Sequence, residues 1–230
     1  MARDLPSALL ELTDTSDVVD LDGYADRLAH WSVELTPVTG AAVVLRDETG
    51  ALRVGAARPG WIRVLPEFSI AGGEGLAAEC FDRAEPVSVS DVSERKWPRY
   101  REIAERLGIH GGHAIPLGRS GRLSGALTVY YGTTDGDRTG VAEVCCALAH
   151  AAAIGLANLA EYRRLRLLAQ QLQTALESRI VIEQAKGILA ERMRTDIDQA
   201  FAILRRFARE HNLRLHDVAR TTVETRKAPQ

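Results

Sequence analysis

Five residues in the last third of this 230-residue chain have the types and spacing to meet an anion. Arg179 and Lys186 are seven residues apart, two turns of an α-helix, and so share a face. Gly187 beside them removes side-chain bulk, although a glycine inside a helix costs about 1 kcal/mol relative to alanine. Either a neighbouring helix approaches closely there or the surface leaves room for a nucleotide. Arg205 and Arg206 lie next to, but off, an apolar stripe of Phe201, Leu204 and Ala208. Arginine suits nucleic-acid contact because its planar fork binds phosphate at two points and stacks on unpaired bases. An arginine on a solvated helix face needs no ligand, so the residue type alone does not decide. Residues 161–230 carry 14 Lys/Arg against 9 Asp/Glu, net +5, whereas residues 1–160 carry 15 against 22, net −7. A polyanion would meet the C-terminal part and be repelled by the rest. Only Lys96, Lys186 and Lys227 are lysine, which makes Lys186 conspicuous.

The elements that must carry these residues are helical. From Val141 to Arg194 there is no proline, only two glycines, Gly155 and Gly187, and nearly continuous helix formers. Within that span Leu165, Leu168, Leu172 and Ala175 fall at coiled-coil spacing, which predicts a linker helix over 159–178 and a parallel dimer. The same stripe could instead pack on its own domain. Three amphipathic stripes then follow: Ile182, Ala185, Leu189 and Met193; Phe201, Leu204 and Ala208; Leu215, Val218, Ala219 and Thr222. Helices joined by three or four residues close a three-helix bundle. Thr195 with Asp198 reads as a capping-box start for the middle helix, and Asn212 as its stop.

The first 160 residues have a different rhythm. Residues 1–17 read as a polar, flexible N-terminus, and 18–35 as a helix with Pro37 just past its end. Ala41–Arg46 and Leu52–Ala57 make a hairpin about Asp47–Gly50. Ile70–Gly75 reads as a loop, Leu76–Arg83 as a helix, 86–92 as a strand and Trp97–Leu107 as a helix. Gly112–Leu117 and Leu123–Tyr131 are two further strands joined about 118–121. Helices covering an antiparallel sheet define an α+β domain.

Two resemblances attach to these residues. Leu176-Glu-Ser-Arg179-Ile180, Ile182-Glu-Gln-Ala185-Lys186-Gly187-Ile188-Leu189, Ala200-Phe201 through Leu204-Arg205-Arg206 and Asn212 through Ala219 resemble the ANTAR RNA-binding family, in order and in spacing. The Ala41–Gly50 hairpin, Gly73-Glu-Gly-Leu76, Glu85-Pro-Val-Ser-Val-Ser-Asp91, and Ala114-Ile-Pro-Leu117 followed by Leu123-Ser-Gly-Ala-Leu-Thr-Val129 resemble a GAF domain. The fold implied is a GAF-type α+β sheet with flanking helices over 18–158, a coiled-coil helix, and an all-α three-helix bundle over 164–226. The ANTAR resemblance implies a basic surface on hairpin loops of nascent mRNA, with Arg179, Gln184, Lys186, Gly187, Arg205 and Arg206 as contact residues. It also implies that holding those hairpins prevents an overlapping terminator from forming. The GAF resemblance implies a sensor whose small-molecule ligand, if any, is not specified; no cofactor is expected. Trp61, Phe68, Trp97 and Tyr100 either line a pocket or fill the core.

Other classes find little support. No Gly-rich phosphate loop, GxSxG, HExxH or Cys-His constellation is present, so an enzyme is not expected. Cys80, Cys145 and Cys146 lack metal-ligand spacing and read as thiols. No run of 18 apolar residues and no basic leader with a cleavage site are seen, so the expected location is cytoplasmic. Two alternatives remain: a DNA-binding helix-turn-helix formed by the last two helices, and a module whose GAF domain binds a partner protein.

Overall fold

The computed structural model describes residues 4–15, 20–47, 49–95, 97–119, 122–132 and 139–225. Val18, Lys96, residues 120–121 of the expected strand connection, and Lys227 lie outside them. The chain divides into two compact units, Met1–Glu161 and Tyr162–Gln230.

In the first unit, short β-branched and alanine runs form β1 (Gly40–Arg46), β2 (Leu52–Arg58), β3 (Val87–Val89), β4 (Ile109–Arg119) and β5 (Arg122–Gly132). They pair antiparallel in the order β2-β1-β5-β4-β3. Side chains alternate across a strand, and that alternation sorts the core into two layers. Ala41, Val43 and Leu45 of β1, with Leu127, Val129 and Tyr131 of β5, face α1 (Leu5–Thr13), α2 (Leu21–Leu35) and the first part of α6 (Val141–Met193). Ala42, Ala126 and Tyr130 face the opposite layer, built from α3 (Val64–Gly72), α4 (Leu76–Arg83) and α5 (Pro98–Arg106). Polar clamps fix α2 along the sheet edge. Arg53 pairs with Asp22 at 2.5 Å, and Arg58 grips Asp26 with two hydrogen bonds of 2.7 and 2.5 Å. That grip holds the Asp26 carboxyl below its ordinary value.

Two segments differ from the sequence reading. Residues 5–13, expected within a flexible N-terminus, form α1. Asp4 caps it by accepting the Ser7 amide at 3.0 Å, and Leu5, Ala8, Leu9 and Leu12 make an i, i+3, i+4, i+7 stripe. Ala8 and Leu12 are fully buried, and the Trp31 indole donates to Glu11 at 3.0 Å. The polar composition of the segment concealed that stripe. Helix α3 likewise occupies the start of the expected Ile70–Gly75 loop and runs to Gly72, where Gly73 ends it in the left-handed region at φ 69°.

Helix α6 contains an 18-residue window of mean hydropathy 1.5, apolar and long enough to cross a membrane by length and composition. Its Leu148, Ala149, Ala152 and Leu156 belong to the core cluster of the first unit, which accounts for that composition.

Gly155 of α6 lies where this layer is tightest. A Cβ there would strike the Tyr24 hydroxyl and the Leu12 carbonyl, and that hydroxyl donates to Leu12 at 2.5 Å and to Ala152 at 3.2 Å. Gly155→Ala should therefore lower stability by about 1–3 kcal/mol through overpacking, outweighing the ~1 kcal/mol of helix propensity it returns. All three tryptophans lie in the first unit, so urea unfolding followed by their fluorescence reads this change; an unchanged midpoint would refute it.

Candidate nucleic-acid interface

The second unit takes in α6 from Tyr162 onward, α7 (Ile197–Glu210) and α8 (Leu215–Thr225). Ala185 and Leu189 of α6, Ala200, Leu204 and Ala208 of α7, and Val218 and Ala219 of α8 form its buried core. Ile182 and Leu215 pack on them as expected, while Met193 is 49% exposed. Both connections turn sharply. Arg194 and Asn212 take left-handed φ values of 50° and 52°, with Thr195 N–H donating to Ala190 at 3.0 Å and Leu213 N–H to Ala208 at 2.8 Å. These six-to-one bonds satisfy helix-end carbonyls that would otherwise be orphaned. Asn212 is thus the stop that its type implied. The cap of α7 is Asp196, which accepts the Gln199 amide at 2.7 Å, and not Thr195, whose hydroxyl bonds the Gln199 side chain instead.

The bundle brings two of the six candidate residues together. The Lys186 ammonium sits 5.2 Å from the centre of the Phe201 ring, and the Arg205 guanidinium 5.6 Å from the same centre. Lys186 also donates to both Glu183 oxygens, at 2.9 and 3.0 Å, and its side chain is only 14% exposed. Glu183 and Phe201 together therefore fix the ammonium, the first through two charge-assisted hydrogen bonds and the second through its ring face. Arg205 is exposed and has no carboxylate partner among the described residues, so its outer edge is open to an anion.

The other four are more dispersed. Arg179 precedes Lys186 by two turns on the same side of α6 and is exposed. Gln184 lies roughly 160° round the helix from Lys186 at 100° per residue, and is exposed. Arg206 is exposed one residue beyond Arg205, turned away from the Phe201 ring. Gly187 is also exposed, and a Cβ there would meet nothing within 4 Å. Of the two reasons considered for this glycine, close approach of a neighbouring helix is thereby excluded within the unit.

Phe201 was expected in the apolar stripe of α7 and is instead half-buried at the edge of the basic cluster. Its position four residues before Arg205, the spacing at which a helical cation reaches an aromatic ring, was the available signal. A second aromatic pair, Phe207 stacked on His211 with centroids 4.0 Å apart, closes the end of α7.

In the first unit the aromatic residues divide. Trp97 and Tyr100 are core, with Tyr100 fully buried, while Phe68 is half-buried and Trp61 is 47% exposed. Burial pushes the Cys80 and Cys145 thiols up to about 12, so neither is a ready nucleophile. His113 Nδ1 lies 2.6 Å from Ser88 Oγ, and its ring meets Tyr131 edge-on. Among the described residues no three of His, Cys, Asp and Glu come together as metal ligands.

A five-stranded antiparallel sheet between two helical layers defines an α+β domain, and comparison with known proteins identifies its family. The GAF domain family matches residues 18–157, well over half of the chain, and the ANTAR domain family matches residues 170–223. The chain belongs to the GAF family and has the two-domain organisation of a GAF-ANTAR regulator, a signalling domain followed by an RNA-binding antitermination domain. Among solved structures, the GAF domain of a phosphoenolpyruvate-protein phosphotransferase from Coxiella burnetii superposes with a TM-score of 0.53 at 18% identity, covering 70% of this chain and 96% of that one. A domain of a two-component sensor histidine kinase protein from Sinorhizobium meliloti gives 0.50 at 20% identity, covering 63% and 96%. At these identities the likeness is one of fold alone. No curated protein sequence matches.

Because the space around Gly187 is open, Gly187→Ala should stabilise the second unit by up to about 1 kcal/mol. Amide exchange across α7 and α8 would slow by roughly fivefold, the factor that energy represents. Faster exchange would mean that the glycine is required for packing.

Proposed function

We propose that this chain is a signal-responsive, RNA-binding transcription antiterminator: it holds hairpin loops in leader mRNA and so prevents an overlapping terminator from forming. The observation that carries this reading is the convergence of Lys186 and Arg205 on Phe201 inside the region that matches the ANTAR family. Such a cluster presents fixed cations beside an aromatic edge, the combination that recognises unpaired bases and their phosphates. Arg179 extends the basic line along α6, and the bare surface at Gly187 lets a nucleotide approach the helix backbone. Gln184 and Arg206 lie outside this cluster and serve as flanking contacts.

The chain acts in the cytoplasm as a homodimer. Two bundles in one particle present two hairpin sites, and the second binding event becomes intramolecular. The GAF domain supplies the signal, as a small-molecule ligand or a contact, by biasing the geometry of α6.

Lys186→Ala and Arg205→Ala should each weaken hairpin binding by about 1–3 kcal/mol, the loss of a charged hydrogen bond or of a stacking contact. Each should also flatten the dependence of log affinity on log salt by roughly 0.7, one single-strand phosphate contact. Phe201→Leu keeps the apolar volume and removes the ring, and should weaken binding without unfolding the bundle. Fluorescence anisotropy with a labelled tandem-hairpin RNA, titrated at several salt concentrations, measures all three. Tighter binding to duplex DNA than to the hairpins would overturn the antiterminator reading in favour of a DNA-binding regulator. Hairpin affinities equal to the native chain's would remove these residues from the site.

A further inference from the structure

Leu165, Leu172, Arg179 and Lys186 follow one another at seven-residue intervals along α6, with Leu168, Ala175, Ile182 and Leu189 three residues on from each. This is one continuous heptad seam with two different fates. From Ile182 onward it is covered inside the bundle, where Ile182 packs against the core and Leu189 is fully buried. Before that point it is bare: Leu165, Leu168 and Leu172 are 54%, 48% and 63% exposed, and Leu176 and Ile180 widen the stripe at 55% and 48%. Arg179 stands where the bare part meets the covered part.

A second copy of this chain fits the bare part. The stripe is self-complementary in a parallel pair, with leucine set on leucine at each heptad interval, and it continues the seam that the bundle already covers. The residues flanking it, Ala169, Gln171, Leu176 and Ser178, are uncharged, so no like charges oppose each other along the edges. An antiparallel pair would instead set Arg179 against leucine.

In the parallel pair the two Arg179 side chains face each other in a seam position. Among the described residues no carboxylate pairs with Arg179. Two facing guanidinium groups repel each other unless an anion accepts from both.

We propose that Arg179 of one copy and Arg179 of a second copy form a shared anion site at the end of a parallel coiled coil, so that an RNA phosphate bound there also tightens the dimer. This rests on the RNA reading given above. Linkage makes the effect reciprocal: whatever factor RNA adds to dimerisation, dimerisation adds to RNA affinity.

Sedimentation equilibrium of the full chain, with and without one short RNA hairpin, tests it with two variants. Arg179→Leu extends the apolar seam and should tighten the RNA-free dimer at least tenfold. The native dimer should tighten at least tenfold on adding the hairpin. Arg179→Gln, which removes the charge and keeps a polar side chain, should abolish that tightening while hairpin binding through Lys186 and Arg205 stays measurable. Circular dichroism confirms that both variants keep native helix content. An RNA-free dimer unchanged or weakened in Arg179→Leu overturns the seam position of Arg179. Equal tightening by RNA in Arg179→Gln and the native chain overturns the shared anion site, with the RNA reading left standing. A native chain that binds no hairpin overturns the RNA reading and the shared site together, whereas the RNA-free constant of Arg179→Leu reports on the seam alone.

Discussion

The apolar side of α6 has to be covered along 53 residues, and much of the chain is organised around that requirement. An isolated helix in water gains little from its own hydrogen bonds and is held mainly by burial of one face. Over its first turns that burial comes from the sheet of the sensor unit, where Leu148, Ala152 and Leu156 share a core with Leu127 and Val129. Over its last turns it comes from α7 and α8, which close on Ala185 and Leu189. Between them the leucines from Leu165 to Leu176 are 48–63% exposed among the described residues.

The basic cluster depends on the same helix. Lys186 flanks the Ala185–Leu189 stripe that packs the bundle, so the contact that orders the core also sets its ammonium over Phe201. Arg205 reaches that ring from α7, one residue beyond buried Leu204. Packing and charge presentation are therefore coupled: the arrangement of two cations about one ring persists only while the two helices stay in register. Gly155 and Gly187, both in α6, show how differently one residue type can serve. The first is needed because Tyr24 and Leu12 leave no space for a Cβ, while the second faces open space and pays its helix-propensity cost without any packing return.

Most of the fold was legible in residue order. The strands of the hairpin, the start and end of α6, and the turn at Asn212 all follow from local rules of periodicity and termination that need no tertiary information. What escaped was of two kinds. Helix α1 is short, and its stripe of Leu5, Ala8, Leu9 and Leu12 is interleaved with polar residues, so its burial is decided by distant partners, Tyr24 and Trp31. Phe201 was legible as apolar but not as the residue joining Lys186 to Arg205, because that juxtaposition crosses a turn between two helices. Gly187 shows the converse: the sequence posed the question, and only the packing around it could choose between the two answers.

The proposed placement of RNA on the α6–α7 face of the bundle is most directly tested by hydrogen exchange of the full chain with and without a saturating tandem-hairpin RNA. Protection should gather in peptides covering residues 179–187 and 200–206 and leave the N-terminal end of α8, residues 215–220, unchanged. Protection confined to 215–220, or to the sheet of the sensor unit, would contradict it.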